Sequence, residues 1–176
     1  ALGPLSDKSA NGVEAIKRNL KVQTRLVNDL IDAAKISSGG IEIQCEPREL
    51  EPLIENNIET WDLMAAAREV RFVYRASGER HLVDIDPERL LQVLNNLLEN
   101  AVRNTPAGGR LELRVQSRAD GVDIEIEDTG AGLSQEDLAR VFTPFWHGQS
   151  AGQPHKGLGL GLAIAEHLVR GHRGTV

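Results

Sequence analysis

The sequence predicts an α/β fold, namely a two-layer α/β sandwich with a mixed β-sheet, preceded by a long helix of the coiled-coil type. Three observations support this prediction. Segments with a helical period alternate with segments in which every second residue is apolar, a strong turn signal joins two long strands, and a seven-residue apolar repeat occupies the start of the chain. We therefore expect helices on one face of the sheet and a separate helical element in front of it.

The composition narrows the class of protein. The 176 residues carry a formal net charge of −6, which argues against a nucleic-acid partner. Cys45 is the single cysteine, so the chain has no internal disulfide and no thiolate metal cluster, and a metal would take oxygen ligands. No apolar run approaches the roughly 20 residues that span a bilayer. We expect a cytoplasmic protein. If the chain belongs to a longer protein that is attached to the inner membrane, that attachment would use segments outside this chain.

The first predicted element is a helix over residues 6–38. Its apolar residues recur every seven positions, with two more placed three positions after a member of that series, as in a coiled-coil seam: Val13, Leu20, Val27, Ala34, Ile16 and Leu30. Gln23 interrupts the seam, and Gly39 and Gly40 stand where a left-handed C-cap would end the helix. One helix cannot bury its own stripe. It needs a partner helix, from another copy or from outside this chain, unless it packs on the domain behind it.

The elements that follow alternate in type. In chain order we predict a strand in "IEIQCEP", a helix over "RELEPLIENNIETWDLMAAARE", strands in "VRFVYRA" and "HLVDID" around the Ser77-Gly78 turn, a helix over "ERLLQVLNNLLENAVRNT" that Asp86-Pro87 begins, a hairpin in "RLELRVQSRADGVDIEIED" with its turn at Asp120-Gly121, and a last helix within "KGLGLGLAIAEHL".

Two amides and a guanidinium share one face of the helix that Asp86 begins. Asn96, Asn100 and Arg103 stand at positions i, i+4 and i+7, so their side chains project together. Amide oxygens suit a hard cation such as Mg²⁺, and a guanidinium suits phosphate. Asparagines on a half-exposed helix are nevertheless more often solvated surface residues.

Two glycine-containing segments form the other clusters. In "EDTGAGLS", Asp128 ends a strand, and Gly130 and Gly132 would let a flat ring approach the backbone while the carboxylate accepts a hydrogen bond from an exocyclic amine. In "KGLGLGLAIAEHL", Gly157, Gly159 and Gly161 precede a helix N-terminus, where backbone N–H groups and the helix dipole favour an anion. The alternatives are an ordinary glycine turn and close helix packing.

The three clusters, with "VFTPFWHG" (Val141 to Gly148) between the second and third, closely resemble the N, G and F boxes of the sensor histidine kinase ATP-binding domain. The wider family is the Bergerat-fold group, which includes gyrase, the heat-shock chaperone ATPase and MutL. The resemblance covers essentially the whole chain and implies that ATP and Mg²⁺ are the cofactors.

The resemblance also implies roles for single residues. Asn96 would lie near the phosphates, Asn100 would hold Mg²⁺ and Arg103 would contact phosphate, while the three alternate glycines would shape the loop over the phosphates. Asp128 would recognise the adenine amine, with the two glycines of its segment beside the base. Phe142 and Phe145 would anchor a mobile lid.

By the same resemblance, residues 1–38 look like the second helix of a dimerisation and phosphotransfer domain, and residues 39–176 like the ATP-binding domain without its last strand.

The chain also departs from the family pattern. Asn104 stands where the family often has an aromatic residue, and Arg173 replaces a usual glycine. No "HExRxP" motif for a phospho-acceptor occurs, because the histidines all sit in other contexts: His81, His147, His155, His167 and His172.

The residues favour phosphoryl transfer over hydrolysis. The ATPase branch of the fold activates water with a glutamate four residues before the metal-binding asparagine, where this chain has Asn96, a poor base, and Glu99 points off that face. The resemblance implies in-line attack on the γ-phosphorus of ATP by a histidine of a dimeric four-helix bundle, then relay to an aspartate of a response regulator.

We expect a catalytic fragment that binds ATP, that pairs as a homodimer through helix 6–38, and that contains the phosphoryl donor site without the acceptor histidine. Two alternatives remain. A serine kinase of the anti-sigma-factor type shares the fold, although the seam helix and the "DLIDAAKISSGG" junction speak against it. A degenerate nucleotide-binding scaffold that only dimerises is the other.

Overall fold

The computed structural model of the chain describes residues 7–148 and 157–176. Its elements, in chain order, are α1 (Asp7–Ser38), β1 (Glu46–Glu49), α2 (Leu50–Glu55), α3 (Ile58–Ala66), β2 (Arg71–Ala76), β3 (Leu82–Ile85), α4 (Pro87–Asn104), β4 (Arg110–Arg118), β5 (Gly121–Asp128), α5 (Gln135–Leu138) and α6 (Gly161–Gly171). Within these described ranges, no helix combines the length and apolarity that crossing a membrane requires.

The main sheet is mixed, as predicted. Its three strands lie in the order β2-β4-β5, with β2 parallel to β4 and β4 antiparallel to β5. The β4–β5 hairpin turns at Asp120-Gly121, the predicted position. A separate two-stranded antiparallel sheet pairs β1 with β3. The α/β fold class with a mixed sheet is confirmed.

Two predictions of local structure are wrong. The strand predicted in "IEIQCEP" begins only at Glu46, because the alternating Ile41 and Ile43 pack against α6 instead of pairing with a strand. The helix predicted over residues 48–69 is two helices, α2 and α3. The break lies at Asn56-Asn57, where the Asn57 side chain donates to the carbonyl oxygen of Leu53 at 2.9 Å and competes with the helical pattern.

The Ser77-Gly78 turn does not form a hairpin. The two strands that flank it enter different sheets, since β2 pairs with β4 and β3 pairs with β1. The short helix α5 was not predicted. Ser134 caps it by accepting from the backbone N–H of Asp137 at 3.0 Å.

The main core lies between the three-stranded sheet and α2, α3 and α4. Leu94 and Leu98 of α4 are fully buried with Leu111 and Leu113 of β4. Trp61 of α3 fills the same core, and its indole N–H donates to the side-chain oxygen of Asn95 at 2.8 Å. A second apolar cluster holds α6 on the other side of α4. This arrangement places α4 between the sheet and α6.

The long helix α1 presents two different faces. Its seam side chains are exposed, with Ile16 at 67% and Leu20 at 61%, while Ala33 and Ile36 pack against the cluster around α6. Both the seam and the packing on the domain behind it are therefore present, on different faces. The predicted C-cap is confirmed, because Gly39 and Gly40 have positive φ and the N–H of Gly40 donates to Lys35 at 2.9 Å. Ser6, the predicted first residue, lies outside the described residues.

A buried carboxylate links the two sheets. Glu51 of α2, only 2% exposed, accepts from the backbone N–H of His81 at 2.9 Å, and one of its oxygens lies 2.5 Å from Nδ1 of that ring. The other ring nitrogen lies 2.6 Å from the hydroxyl of Ser117 in β4. Burial raises the pKa of Glu51, but the hydrogen bonds from His81 outweigh it and the net pKa is lowered.

Replacement of Glu51 by glutamine removes the charge and keeps the size of the side chain. We expect the free energy of unfolding near neutral pH to fall by about 1–3 kcal/mol, the cost of losing hydrogen bonds to a buried charged group. The unfolded carboxyl titrates near 4.5, above its folded pKa, so the stabilisation is complete above that pH and is lost as the pH falls through the lower folded value. Urea unfolding of both proteins at a series of pH values measures this.

The matched control is Glu49→Gln, which changes an exposed carboxylate 3.8 Å from Arg80 and should alter stability little. A difference between Glu51→Gln and the parent protein that stays constant down to acid pH would contradict the assignment.

Candidate functional site

The helix α4 presents the predicted amide and guanidinium face. Asp86 caps its N-terminus by accepting from the N–H of Arg89 at 3.2 Å, and Pro87 is the first helical residue, both as predicted. At the other end, the hydroxyl of Thr105 donates to Ala101 at 2.7 Å. These two ends fix the helix against the core and orient its opposite face towards α6.

Asn96 is a buried bridge between helices. Its Nδ2 donates to the carbonyl oxygen of Gly161, the first residue of α6, at 3.1 Å. Its Oδ1 accepts from the guanidinium of Arg25 in α1 at 3.2 Å. The sequence-based reasoning missed Arg25, because nothing in the spacing of α1 indicates that it reaches a residue 71 positions away.

Asn100 and Arg103 are in direct contact. The guanidinium of Arg103 donates to Oδ1 of Asn100 at 2.5 Å. Asn104 also donates to this oxygen, at 3.2 Å, and to the Asn100 carbonyl at 2.8 Å. Asn104, the departure from the family pattern, therefore orients Asn100. A cation bound to that oxygen would take the place of these donors, and a half-buried amide oxygen is a suitable ligand for Mg²⁺.

The charge of Arg103 is close to other cations. Burial lowers its pKa, and the charges of Arg25 and Arg68 lower it further. A Cβ placed on Gly157 would lie 3.8 Å from the Arg103 guanidinium, so the glycine loop passes beside it. This part of the site is electropositive and adjoins the start of α6.

Asp128 and Gly130 lie at the other end of the site. The exposed Asp128 ends β5, and its Oδ1 accepts from the N–H of Gly130 at 2.7 Å. A Cβ on Gly130 would fall 2.6 Å from the carbonyl oxygen of Asn104, so only glycine fits where this loop meets the end of α4. Gly132 has a φ of +71°, which also favours glycine.

Two residues here were missed by the sequence-based reasoning. The hydroxyl of Thr129 accepts from the N–H of Arg110 at 2.9 Å, which fixes the strand end before the loop. A Cβ on Gly109 would lie 2.4 Å from the Thr105 side chain. The Gly108-Gly109 pair was the available signal for this close approach.

The segment around Phe145 is joined to the glycine loop. Phe145 adopts a φ of +62°, and its N–H donates to the carbonyl oxygen of Gly159 at 2.9 Å. A Cβ on Gly159 would lie 2.7 Å from the carbonyl oxygen of Trp146, and its φ of +69° also requires glycine. Phe142 and Phe145 line a cavity of about 220 Å³ between α1 and α6. Lys156 and His155 lie outside the described residues.

Each of the four described histidines contacts residues that hold the fold together. His81 belongs to the Glu51 network. His147 lies 3.2 Å from the carbonyl oxygen of Gly157, and His167 accepts from the N–H of Ile41 at 3.5 Å. His172 accepts from the N–H of Asp86 at 3.0 Å and donates to Leu168.

The structure thus brings the predicted clusters together around α4. The first residue of α6 contacts Asn96, the glycine loop passes Arg103, and the loop after β5 packs on Asn104. The cation of Arg103 thus lies at one end of this cluster and the carboxylate of Asp128 at the other.

Comparisons with known proteins found a matching family and several similar chains. A model of the histidine kinase-, DNA gyrase B-, and HSP90-like ATPase family matches residues 85–176. The chain is 31% identical to the circadian input-output histidine kinase CikA of Synechococcus elongatus over 100% of its own length and 24% of CikA. It is 31% identical to the sensor protein DivL of Caulobacter vibrioides over 98% of its length and 22% of DivL. The chain therefore spans less than a quarter of these two relatives.

Solved structures show the same fold. Full-length ShkA in complex with AMPPNP superposes with a TM-score of 0.77 at 28% identity, covering 96% of this chain and 35% of ShkA. The histidine kinase ThkA in complex with the response regulator protein TrrA gives a TM-score of 0.69 at 19% identity, covering 98% of this chain and 47% of ThkA. At that lower identity the likeness to ThkA concerns the fold.

Replacement of Gly159 by alanine tests the junction between the Phe145 segment and the glycine loop. The strained φ and the collision with the Trp146 carbonyl should break the Phe145–Gly159 hydrogen bond, at a cost of about 1–3 kcal/mol. Hydrogen exchange measures this as loss of protection at the Phe145 amide. Gly121→Ala is the control, since a Cβ there meets nothing within 4 Å. Equal protection in the parent protein and Gly159→Ala would contradict the junction.

Proposed function

Given that the chain belongs to the histidine kinase-, DNA gyrase B-, and HSP90-like ATPase family, we propose that it binds ATP and Mg²⁺ as the catalytic part of a two-component sensor histidine kinase. In this proposal residues 39–176 form the ATP-binding domain, and residues 1–38 supply the second helix of a dimerisation and phosphotransfer domain. The observation that carries the proposal is the convergence of the α4 face, the start of α6 and the loop after β5.

The electropositive end suits the polyphosphate. Arg103 supplies a cation, and the backbone N–H groups at the start of α6 supply donors that the helix dipole makes favourable for an anion. Asn100 would hold Mg²⁺ through its amide oxygen. The glycine loop, Gly157 to Gly161, would lie over the phosphates.

The opposite end suits the base. Asp128 would accept a hydrogen bond from the exocyclic amine of adenine, since one of its oxygens is already oriented by Gly130. Gly130 and Gly132 would leave room for the ring. Phe142 and Phe145 would anchor the lid, and the Phe145–Gly159 hydrogen bond supports coupling of that lid to the phosphate loop.

The contacts of α4 favour transfer of the phosphoryl group over hydrolysis. An amide is no base, and both polar ends of the Asn96 amide are engaged by Gly161 and Arg25. The carboxylate of Glu99 is paired with the guanidinium of Arg25. Neither residue is arranged to activate water.

The acceptor would be a histidine nitrogen outside this chain. Its attack forms the nitrogen–phosphorus bond as the bond to the β–γ bridging oxygen breaks and ADP leaves, and the phosphoryl group then passes to an aspartate carboxylate of a response regulator. The ThkA complex with a response regulator supports this class of partner. The exposed seam of α1 supports a homodimer.

Nucleotide binding tests the central claim. We expect calorimetric titration with AMPPNP and Mg²⁺ to show binding, and Asp128→Asn to weaken it about tenfold, because an amide donor would face the adenine amine. Asp123→Asn, on the same strand and paired with Arg118, is the control and should bind as the parent protein does. No binding by the parent protein would leave the degenerate scaffold as the function.

A charged substitution in the seam of α1 tests whether the chain forms a dimer. Leu20 is exposed in the single chain, so Leu20→Glu should leave the fold intact while placing charges in the coiled-coil seam. Sedimentation should show a dimer for the parent protein and a shift towards monomer, by about tenfold or more in dissociation constant, for Leu20→Glu. Leu63→Glu, at an exposed leucine of α3, is the control. A monomeric parent protein would contradict the dimer.

A further inference from the structure

Arg25 connects α1 to the proposed nucleotide site. Its guanidinium donates to Asn96 at 3.2 Å and forms an ion pair with Glu99. We propose that Arg25 is a positioning residue for nucleotide binding: it holds Asn96, and through Asn96 the start of α6, so that phosphate affinity depends on this one contact between α1 and α4. This inference rests on the proposed function of the site.

The link through Asn96 consists of two hydrogen bonds. Oδ1 faces Arg25, and Nδ2 donates to the carbonyl oxygen of Gly161 at 3.1 Å. The side chain is only 6% exposed, and an amide bonded at both ends in such a place keeps one orientation. A Cβ on Gly161 would lie 3.6 Å from this amide, in ordinary contact. A displacement of α1 is therefore transmitted to the first turn of α6.

The ion pair adds an electrostatic effect. Glu99 precedes Asn100 on α4, and an unpaired carboxylate there would repel the polyphosphate. Arg25 neutralises it. The charge of Arg25 also reaches Arg103, since burial and then the neighbouring Arg25 lower the pKa of Arg103. Loss of Arg25 would thus remove a positive charge and expose a negative one beside the phosphates.

A second contact between the same helices lies away from Asn96. Asp32 of α1 accepts from Gln92 at 2.6 Å and lies 3.5 Å from the guanidinium of Arg89. Asp32 follows Arg25 in α1, whereas Arg89 precedes Asn96 in α4, so the two helices run antiparallel. Arg89→Ala removes the contact of its guanidinium with Asp32 and its hydrogen bond to the Gln92 side-chain oxygen, and it does not touch Asn96. It is the matched control for Arg25→Ala.

The first measurement needs no nucleotide. Hydrogen exchange of the full chain should show faster exchange in the first turn of α6 for Arg25→Ala than for the parent protein, by about fivefold or more. This is the loss of protection expected when the side-chain amide of Asn96 no longer holds the carbonyl oxygen of Gly161. Arg89→Ala should leave that turn unchanged. Equal exchange in all three proteins, or an equal increase in both variants, would overturn the positioning role.

The second measurement separates charge from geometry. With AMPPNP and Mg²⁺, Arg25→Ala should bind about 5- to 20-fold more weakly, and Arg25→Ala with Glu99→Gln should recover part of that loss because the unpaired carboxylate is gone. Arg25→Lys should retain the charge without the bond to Asn96 and lie between the parent protein and Arg25→Ala. Binding by Arg25→Ala as tight as that of the parent protein, or tighter, would overturn the inference.

The two proposals fail in different ways. A parent protein that does not bind nucleotide contradicts the proposed function, while hydrogen exchange still decides whether Arg25 positions α6. A parent protein that binds while Arg25→Ala changes neither exchange nor affinity contradicts the inference alone.

Discussion

The packing of α4 on the three-stranded sheet is the contact on which the rest of the structure depends. Leu94 and Leu98 are buried against the sheet, and a helix with 3.6 residues per turn then directs Asn96 and Asn100, two positions further on, to nearly the opposite side. The same apolar spacing that holds the core therefore fixes the direction of the polar face. A change of register in α4 would move both at once.

The loops reach that face because glycine allows close approach. Gly130 meets the carbonyl of Asn104, and Gly159 meets the backbone at Trp146, at distances that leave no space for a Cβ. These contacts are between backbone segments of the protein itself. The glycines thus assemble the walls of the site, in addition to the freedom they give a loop that contacts phosphates.

The helix α1 serves two surfaces of opposite character. Towards α4 it presents Arg25, Asp29 and Asp32, spaced so that they share one face, and buried Asp29 has a pKa raised by burial. On another face it exposes the apolar seam. Ion pairs and hydrogen bonds to side-chain amides depend strongly on geometry, whereas apolar contacts tolerate sliding. A small displacement of α1 therefore changes the contacts of its polar face more than those of its apolar seam.

Sequence pattern was sufficient for α4, its Asp86-Pro87 start, the β4–β5 hairpin and the C-cap of α1, because each depends on residues within a few positions of one another. Through the resemblance it also predicted that Asn96, Asn100, Arg103 and the glycines form a common site. Pattern failed at Ile41 and Ile43, where packing on α6 replaced strand pairing. The two strands predicted around the Ser77-Gly78 turn are present, but pattern did not indicate that they pair in different sheets. Arg25 and Asn104 obtained their contacts only when separate elements packed together. Local free-energy preferences act between near neighbours, whereas a hydrogen bond between residues 71 positions apart exists only after the chain has folded.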